Sequence, residues 1–174
     1  MNAKEFLNAV ANGREDLVQV LLDILAETES AYCAVGGLAV NAYAEPVVSL
    51  DLDIIVATDA IERVSRAAAS RGLEVRRFPP SINLSSPKSD LRVQLQTDKR
   101  YQAFISRARE MEVLGYHMQV AAIEDVLHGK TWAYQDDQRR KSKRQKDLAD
   151  IMRLIEVRPE LEEKLPEDLR QSLT

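Results

Sequence analysis

Apolar positions along the chain alternate between the helical and the strand period, and the switches mark its elements. Phe6, Leu7 and Val10 recur at helical spacing. Beyond a break at Asn12-Gly13, Leu17, Val18, Val20, Leu21, Leu22, Ile24 and Leu25 form a second helical stripe. Residues 32–35 are a short apolar strand, and Gly36-Gly37 turns the chain into a helix over 38–43. Glu45-Pro46 ends that helix, because the residue before a proline is pushed out of the α region. Residues 50–56 are the next strand. Asp59 is expected to cap a helix over 60–71, which Gly72 closes. Residues 73–78 read as extended, Pro79-Pro80 as a stiff turn, and 83–89, rich in Asn and Ser, as loop. Leu91, Val93 and Leu95 alternate with Arg92, Gln94 and Gln96, the pattern of a half-buried strand.

The second half starts with a hairpin over 109–121, turning at Gly115-Tyr116. Helices are expected over 124–138 and 142–157, the latter with Leu148, Ile151, Met152, Leu154 and Ile155 on one face. Pro159 and Pro166 break up the tail. This order predicts an α/β (α+β) fold, a sheet flanked by helices with two acids near one edge. It divides into a core over 1–121 and a helical segment over 122–174 that packs on it.

Those acids are Asp51 and Asp53, within the apolar run that continues Ile54-Ile55-Val56. Side chains alternate across a strand, so the two carboxylates share a face. Aligned acids repel unless a cation sits between them, and hard oxygen ligands suit Mg²⁺. A divalent ion held by one or two carboxylates, with water and phosphate oxygens completing its shell, is an arrangement for phosphoryl transfer. The expected partner is a nucleoside triphosphate. The plainer reading, two exposed acids on the polar face of a strand, runs against the depletion of Asp in strands.

Bulk properties narrow the classes. The chain has 174 residues, 45% of them apolar, enough for one domain with a real core. A net charge of −4 argues against a general polyanion binder, yet six of the eight residues over 139–146 are Lys or Arg. That run is either a local patch for phosphate or RNA, or a solvated helix start paired with Asp147 and Asp150. The single cysteine, Cys33, lies in an apolar run, which favours a buried thiol and a reducing compartment. The N-terminal residues lack the apolar core of a signal peptide, and no apolar stretch nears the ~20 residues of a membrane span. A soluble, cytoplasmic protein with no membrane partner is the expectation. His117 and His128 have no metal-ligand spacing to each other or to Cys33, and the serines at 81, 85, 86 and 89 lack a paired His and Asp. Trp132 and Tyr134 suit either packing of the C-terminal helices or stacking on a base.

The order apolar-Gly36-Gly37, helix, then Asp51-Leu-Asp53 between apolar residues resembles the signature of the DNA polymerase β-like nucleotidyltransferase superfamily. The resemblance implies a nucleotidyltransferase-like mixed sheet and a nucleotidyl group passed from a nucleoside triphosphate to a hydroxyl. It makes Gly36 and Gly37 the phosphate-facing turn and Asp51 and Asp53 the Mg²⁺ ligands, with Ser49 at a Ser/Thr position ahead of them. The run from Ile123 through Lys130, with Arg144-Gln-Lys146-Asp147-Leu-Ala-Asp150 after it, is similar to the minimal nucleotidyltransferases of abortive-infection and type IV toxin (AbiEii-like) systems. That likeness implies that Lys130 and Lys146 meet the triphosphate, while Asp147 and Asp150 orient them or assist the acceptor. It also implies a toxin–antitoxin or phage-defence setting, with tRNA among the acceptors and an antitoxin protein as partner.

One departure bears on catalysis. Members of the superfamily carry a third carboxylate on a neighbouring strand, and here the central same-face residues are Gln94 and Gln96. A glutamine ligates a metal weakly and cannot take a proton, so Gln94 stands at a catalytic position without a base. Asp90 and Asp98 face the same way at the strand ends, each about 13 Å along the strand from Gln94. Three readings stay open: an enzyme that uses a substitute end acid or is slow, a degenerate fold member that binds nucleotide or a partner without turnover, and an RNA-binding module using residues 139–146. Neither the base of the nucleotide nor the acceptor is legible.

Overall fold

The computed structural model describes residues 1–173. Two short N-terminal helices start with polar caps. In α1 (Ala3–Val10) Asn2 and Glu5 cap each other reciprocally, and Asp16 accepts from the Gln19 amide at the start of α2 (Leu17–Glu27). β1 (Tyr32–Val35) leads through Gly36 into α3 (Gly36–Val40), shorter than the sequence pattern suggests because a turn takes over at Asn41. β2 (Asp51–Val56) follows, then a 3₁₀ turn over Thr58–Ala60 and α4 (Ile61–Ser70). Asp59 lies inside that turn, and α4 starts without a side-chain cap. Gly72, at φ +84°, takes the left-handed position that ends the helix.

β3 (Glu74–Phe78), β4 (Ser81–Ser86) and β5 (Ser89–Gln96) form an antiparallel ribbon. β4 corrects the expected loop over 83–89. Ile82 and Leu84 are buried while Asn83 faces solvent, so the alternation outweighs the Asn/Ser content. A 3₁₀ turn (Lys99–Tyr101) and α5 (Ala103–Arg107) lead to β6 (Arg109–Val113) and β7 (Tyr116–Val120). The hairpin turns at Leu114-Gly115, not Gly115-Tyr116: both residues have positive φ, 51° and 85°, as a two-residue type I′ turn requires. Tyr116 instead starts β7, buried, its hydroxyl donating to Asp16 at 2.7 Å.

The seven strands form one mixed sheet in the order β3-β4-β5-β2-β1-β7-β6. β2 is therefore its central strand, which overturns the expectation that the acids lie near an edge. Antiparallel pairing to β1 and parallel pairing to β5 hold it on both sides. Leu52, Ile54 and Val56 point into the core with Leu91, Val93 and Leu95, and Asp51 and Asp53 point the other way.

α6 (Ile123–Gln135) and α7 (Lys141–Val157) pack on each other and on α3, bringing the helical segment against the core. On α7, Ile151 and Leu154 are fully buried while Met152, expected on that face, is largely exposed. The tail keeps a 3₁₀ turn (Pro159–Lys164) and α8 (Glu167–Gln171), anchored by Leu161, Leu165 and Leu169. Among the described residues no helix is long and apolar enough to cross a membrane.

Candidate active site

The acid-bearing face of β2 meets α3, β5 and α7. Asp51 and Asp53 sit two residues apart on the central strand, both half-buried. Gly36 lies directly over Asp53. Its φ is +67°, and a Cβ there would come within 2.5 Å of Asp53 Oδ2, so both the backbone and the space demand glycine. Gly37 differs: a Cβ would meet only Asp150 Oδ2, at an ordinary 3.7 Å. Of the two glycines, only Gly36 is required by close packing on an acid.

The acids differ in charge environment. At Asp51, partial burial works against ionisation, but Arg92 Nε donates to Oδ1 at 2.7 Å and Lys143 Nζ lies 3.6 Å from Oδ2. The two cations prevail and hold its carboxyl below the usual range. At Asp53 burial dominates and raises the pKa, the neighbouring Asp51 adds to it, and Lys130, Arg139 and Lys143 offset it only in part.

A second acid pair, Asp147 and Asp150, lies on α7 and is bound to Lys130 of α6. Lys130, 8% exposed, bridges Asp147 at 3.1 Å and Asp150 at 2.9 Å. Arg139 Nε donates to Asp147 at 2.7 Å, and Arg153 pairs with Asp150 at 2.8 Å. Arg153 also donates to Asn41 Oδ1 at 3.1 Å and to the Glu45 carbonyl, while Asn41 grips both backbone groups of Val47. The network thus fastens α6 and α7 to the loop that delivers β2. Burial disfavours the Lys130 charge, but Asp150 and Asp147 outweigh it and raise its pKa.

The remaining sequence candidates fall as follows. Gln94 is exposed and in register with Asp53, and Arg92 is in register with Asp51. Ser49 Oγ accepts from the Asp51 amide at 3.2 Å, a strand-entry contact two residues ahead of the first acid. Lys146 is exposed on α7 and has no ion pair among the described residues; the structure does not bring it to the carboxylates. Asp90 accepts from Asn12, and Asp98 caps the turn at Arg100, so both strand-end acids are engaged elsewhere. The basic run is split: Arg139 and Lys143 turn inward, Arg144 donates to the Tyr134 carbonyl, and Arg140 and Lys141 stay exposed.

Sequence reading missed Arg92, Arg139 and Lys143 as individual members of the site. Helix spacing carried a signal for Lys143, which precedes Asp147 by four residues on α7 and so shares its face; Arg139 lies in the bend ahead of α7, where no such periodicity applies. Trp132 stacks on Phe104, with Tyr101 edge-on to both rings and Arg100 4.9 Å over the indole. It packs α6 to the segment after β5. Burial pushes the Cys33 thiol up to about 12, as befits an inert core residue.

For a metal, the donor set is two same-face carboxylates with the Gln94 amide in register beside them. Among the described residues no cluster of three or more His, Cys, Asp or Glu exists that would hold an ion unaided. Two carboxylates fit one Mg²⁺ that takes its remaining ligands from phosphate and water.

No protein-family model matches the sequence, and none of the curated proteins does. Solved structures do share its shape. A crystal structure of ANT(2'')-Ia in complex with adenylyl-2''-tobramycin superposes with a TM-score of 0.62 at 14% identity, over 90% of this chain and 94% of the other. The lincosamide antibiotic adenylyltransferase LnuA, lincomycin-bound, gives 0.57 at 12% identity, covering 82% of this chain and 98% of LnuA. An antigenic nucleotidyltransferase-like protein from Paracoccidioides brasiliensis gives 0.56 at 18% identity, over 96% and 85%. The chain has the nucleotidyltransferase fold. The expected mixed sheet with flanking helices is therefore correct, and the two acids occupy its central strand under Gly36.

Proposed function

We propose that the protein binds a nucleoside triphosphate with Mg²⁺ and transfers its nucleotidyl group to a hydroxyl acceptor. The observation that carries this reading is the Gly36–Asp53 contact: a left-handed backbone with no room for a Cβ, held against one of two aligned carboxylates, in a nucleotidyltransferase fold. Asp51 and Asp53 would hold the Mg²⁺, which when bound aligns the α-phosphate and offsets the charge that develops there. The turn at Gly36 and Gly37 leaves the triphosphate room to approach the backbone, and Ser49 keeps the entry to β2 in shape. Lys143, 3.6 Å from Asp51, is the lysine that reaches the acids and neutralises phosphate charge. Lys146, one turn further on and exposed, is left for the outer phosphates. Lys130 acts from beneath, holding Asp147 and Asp150 and lowering the cost of charge on Asp53. Gln94 offers the acceptor hydroxyl a hydrogen bond but no base, so slow turnover is expected.

A second reading has a specific observation behind it. Neither β5 residue in register with the acids is itself an acid, which favours a protein that binds nucleotide, RNA or a protein partner without turnover. Gln94→Asp separates the two: transfer activity that appears or rises with the added carboxylate supports a site that has lost its base.

The acceptor class follows from likeness alone. The similar structures with adenylyl-tobramycin and lincomycin suggest a small-molecule hydroxyl, and the segment from Ile123 to Asp150 suggests tRNA with an antitoxin protein as partner. Calorimetric titration of each Mg²⁺–nucleoside triphosphate into the native protein and an Asp51→Asn/Asp53→Asn variant tests the central reading. Binding that requires Mg²⁺ and vanishes in the variant supports it. No binding to the native protein sinks it.

A further inference from the structure

The face of the sheet around the acids carries four side chains in two register pairs, Asp51 beside Arg92 and Asp53 beside Gln94. Both oxygens of Asp51 face protein cations, Arg92 on Oδ1 at 2.7 Å and Lys143 toward Oδ2 at 3.6 Å. A pair of divalent ions 3.5–4 Å apart needs bridging and flanking anions, and this corner supplies a guanidinium instead. That group cannot be neutralised by losing a proton at any ordinary pH. The Arg92 side chain is 67% exposed, and among the described residues only its Nε has an acceptor. Both terminal nitrogens are thus open to a phosphate, whose oxygens match the planar fork.

Resting on the nucleotide reading above, we propose that Arg92 is a resident cation standing in for one metal ion, so that the site takes a single divalent ion with each nucleotide. Arg92 steadies Asp51 while the site is empty and donates to the triphosphate when it is filled. Asp51 and Asp53 then serve one ion between them, and the fixed guanidinium supplies the other positive charge at that corner. Because the cation is covalently part of β5, it needs no capture from solution.

Equilibrium dialysis of the full chain against Mn²⁺ and a nucleoside triphosphate analogue with an uncleavable α–β bridge counts both species retained. The native protein is expected to retain one Mn²⁺ per nucleotide. Arg92→Glu, which sets a third carboxylate in register with Asp51, should retain two. Arg92→Gln should stay at one, with nucleotide affinity lower by roughly tenfold, the worth of a charge-assisted hydrogen bond. Arg92 is exposed, so neither change threatens the core, and circular dichroism checks the fold. Two Mn²⁺ per nucleotide on the native protein overturn the proposal and leave the nucleotide reading standing. So does an Arg92→Glu variant that binds nucleotide with one ion. A native protein that retains no nucleotide removes the nucleotide reading, and this proposal with it.

Discussion

The molecule holds two pairs of acids a short distance apart, and they are built in opposite ways. Asp147 and Asp150 lie three residues apart on a helix, and Asp147 is 1% exposed. Between them the pair meets Lys130, Arg139 and Arg153 at hydrogen-bonding distance. Asp51 and Asp53 lie two apart on a strand, half-buried, and their cations Arg92 and Lys143 come from exposed or half-exposed side chains that can leave. A buried charge must be matched within the protein, whereas a charge at a cleft can wait for its match from a ligand. The closed pair holds elements together; the open pair has the character of a binding site. Each prediction below attacks this contrast.

The largest effect is expected at the closed pair. Lys130→Met leaves Asp147 and Asp150 with less compensation in a dry environment and should cost about 3–5 kcal/mol in urea unfolding. A loss below about 1 kcal/mol would mean that water reaches the network and that the two pairs are not different in kind. The same substitution tests the sign of the linkage. Lys130 keeps its proton in the fold above its ordinary pKa, so its stabilisation is complete below that ordinary value of about 10.4 and lost as pH rises through the folded one. Stability should therefore fall more steeply with alkaline pH in the native protein than in the Lys130→Met variant.

Gly36→Ala breaks the open pair from above. A left-handed backbone costs a non-glycine residue about 1–2 kcal/mol, and the new methyl would press on the Asp53 carboxylate. Lower stability in thermal unfolding together with lost Mg²⁺–nucleotide binding is the expected result. Gly37→Ala, with only an ordinary contact waiting for it, should fold normally. Equal damage from both substitutions would show that the turn, and not the contact with Asp53, is what matters.

Asp53→Asn runs the other way. Burial disfavours the Asp53 charge, so removing it should raise stability by about 0.5–1 kcal/mol while abolishing Mg²⁺-dependent nucleotide binding. A residue kept for structure would lose stability on the same change. A lower melting temperature would therefore place Asp53 with the closed pair.

How much of this was legible depended on range. β1 could be read from its apolar run and β2 from the run Ile54-Ile55-Val56 that follows its two acids. Gly36 could be read as part of a site only because those same-face acids come after it, since a strand-to-helix glycine alone is an ordinary turn. β4 was hidden by its Asn and Ser residues, of which Asn83 faces solvent and Ser86 is buried against Glu15, so that their content says nothing about pairing. The central position of β2 was hidden because strand order depends on parallel partners far along the chain: β5 on one side and, through β1, β7 on the other. Arg92 could be named as a strand residue but not as the neighbour of Asp51, since register between strands forty residues apart leaves no local pattern. Lys146 was singled out by the resemblance, through the Lys146-Asp147 pair. On a helix the adjacent residue points about 100° away, and the residue four back shares the face.

That last point sets up the smallest effect and the finest cut between the two pairs. Lys143 and Lys146 stand three apart on α7, the first at Asp51 and the second exposed. If the open pair is completed by cations that a ligand displaces, Lys143→Ala should weaken Mg²⁺–nucleotide binding by a few-fold, within the 0.2–1 kcal/mol typical of a solvent-screened charge pair. Lys146→Ala, acting only on outer phosphates through water, should change the affinity by less than twofold. Neither should shift the urea midpoint by more than about 0.5 kcal/mol in stability, because both are surface changes outside the Lys130 network. Titration calorimetry of the two variants under one buffer reads the difference directly. A larger loss at Lys146 would mean that the triphosphate lies further along α7 than the acids of β2 suggest, and the open pair would then be only one end of a longer phosphate track.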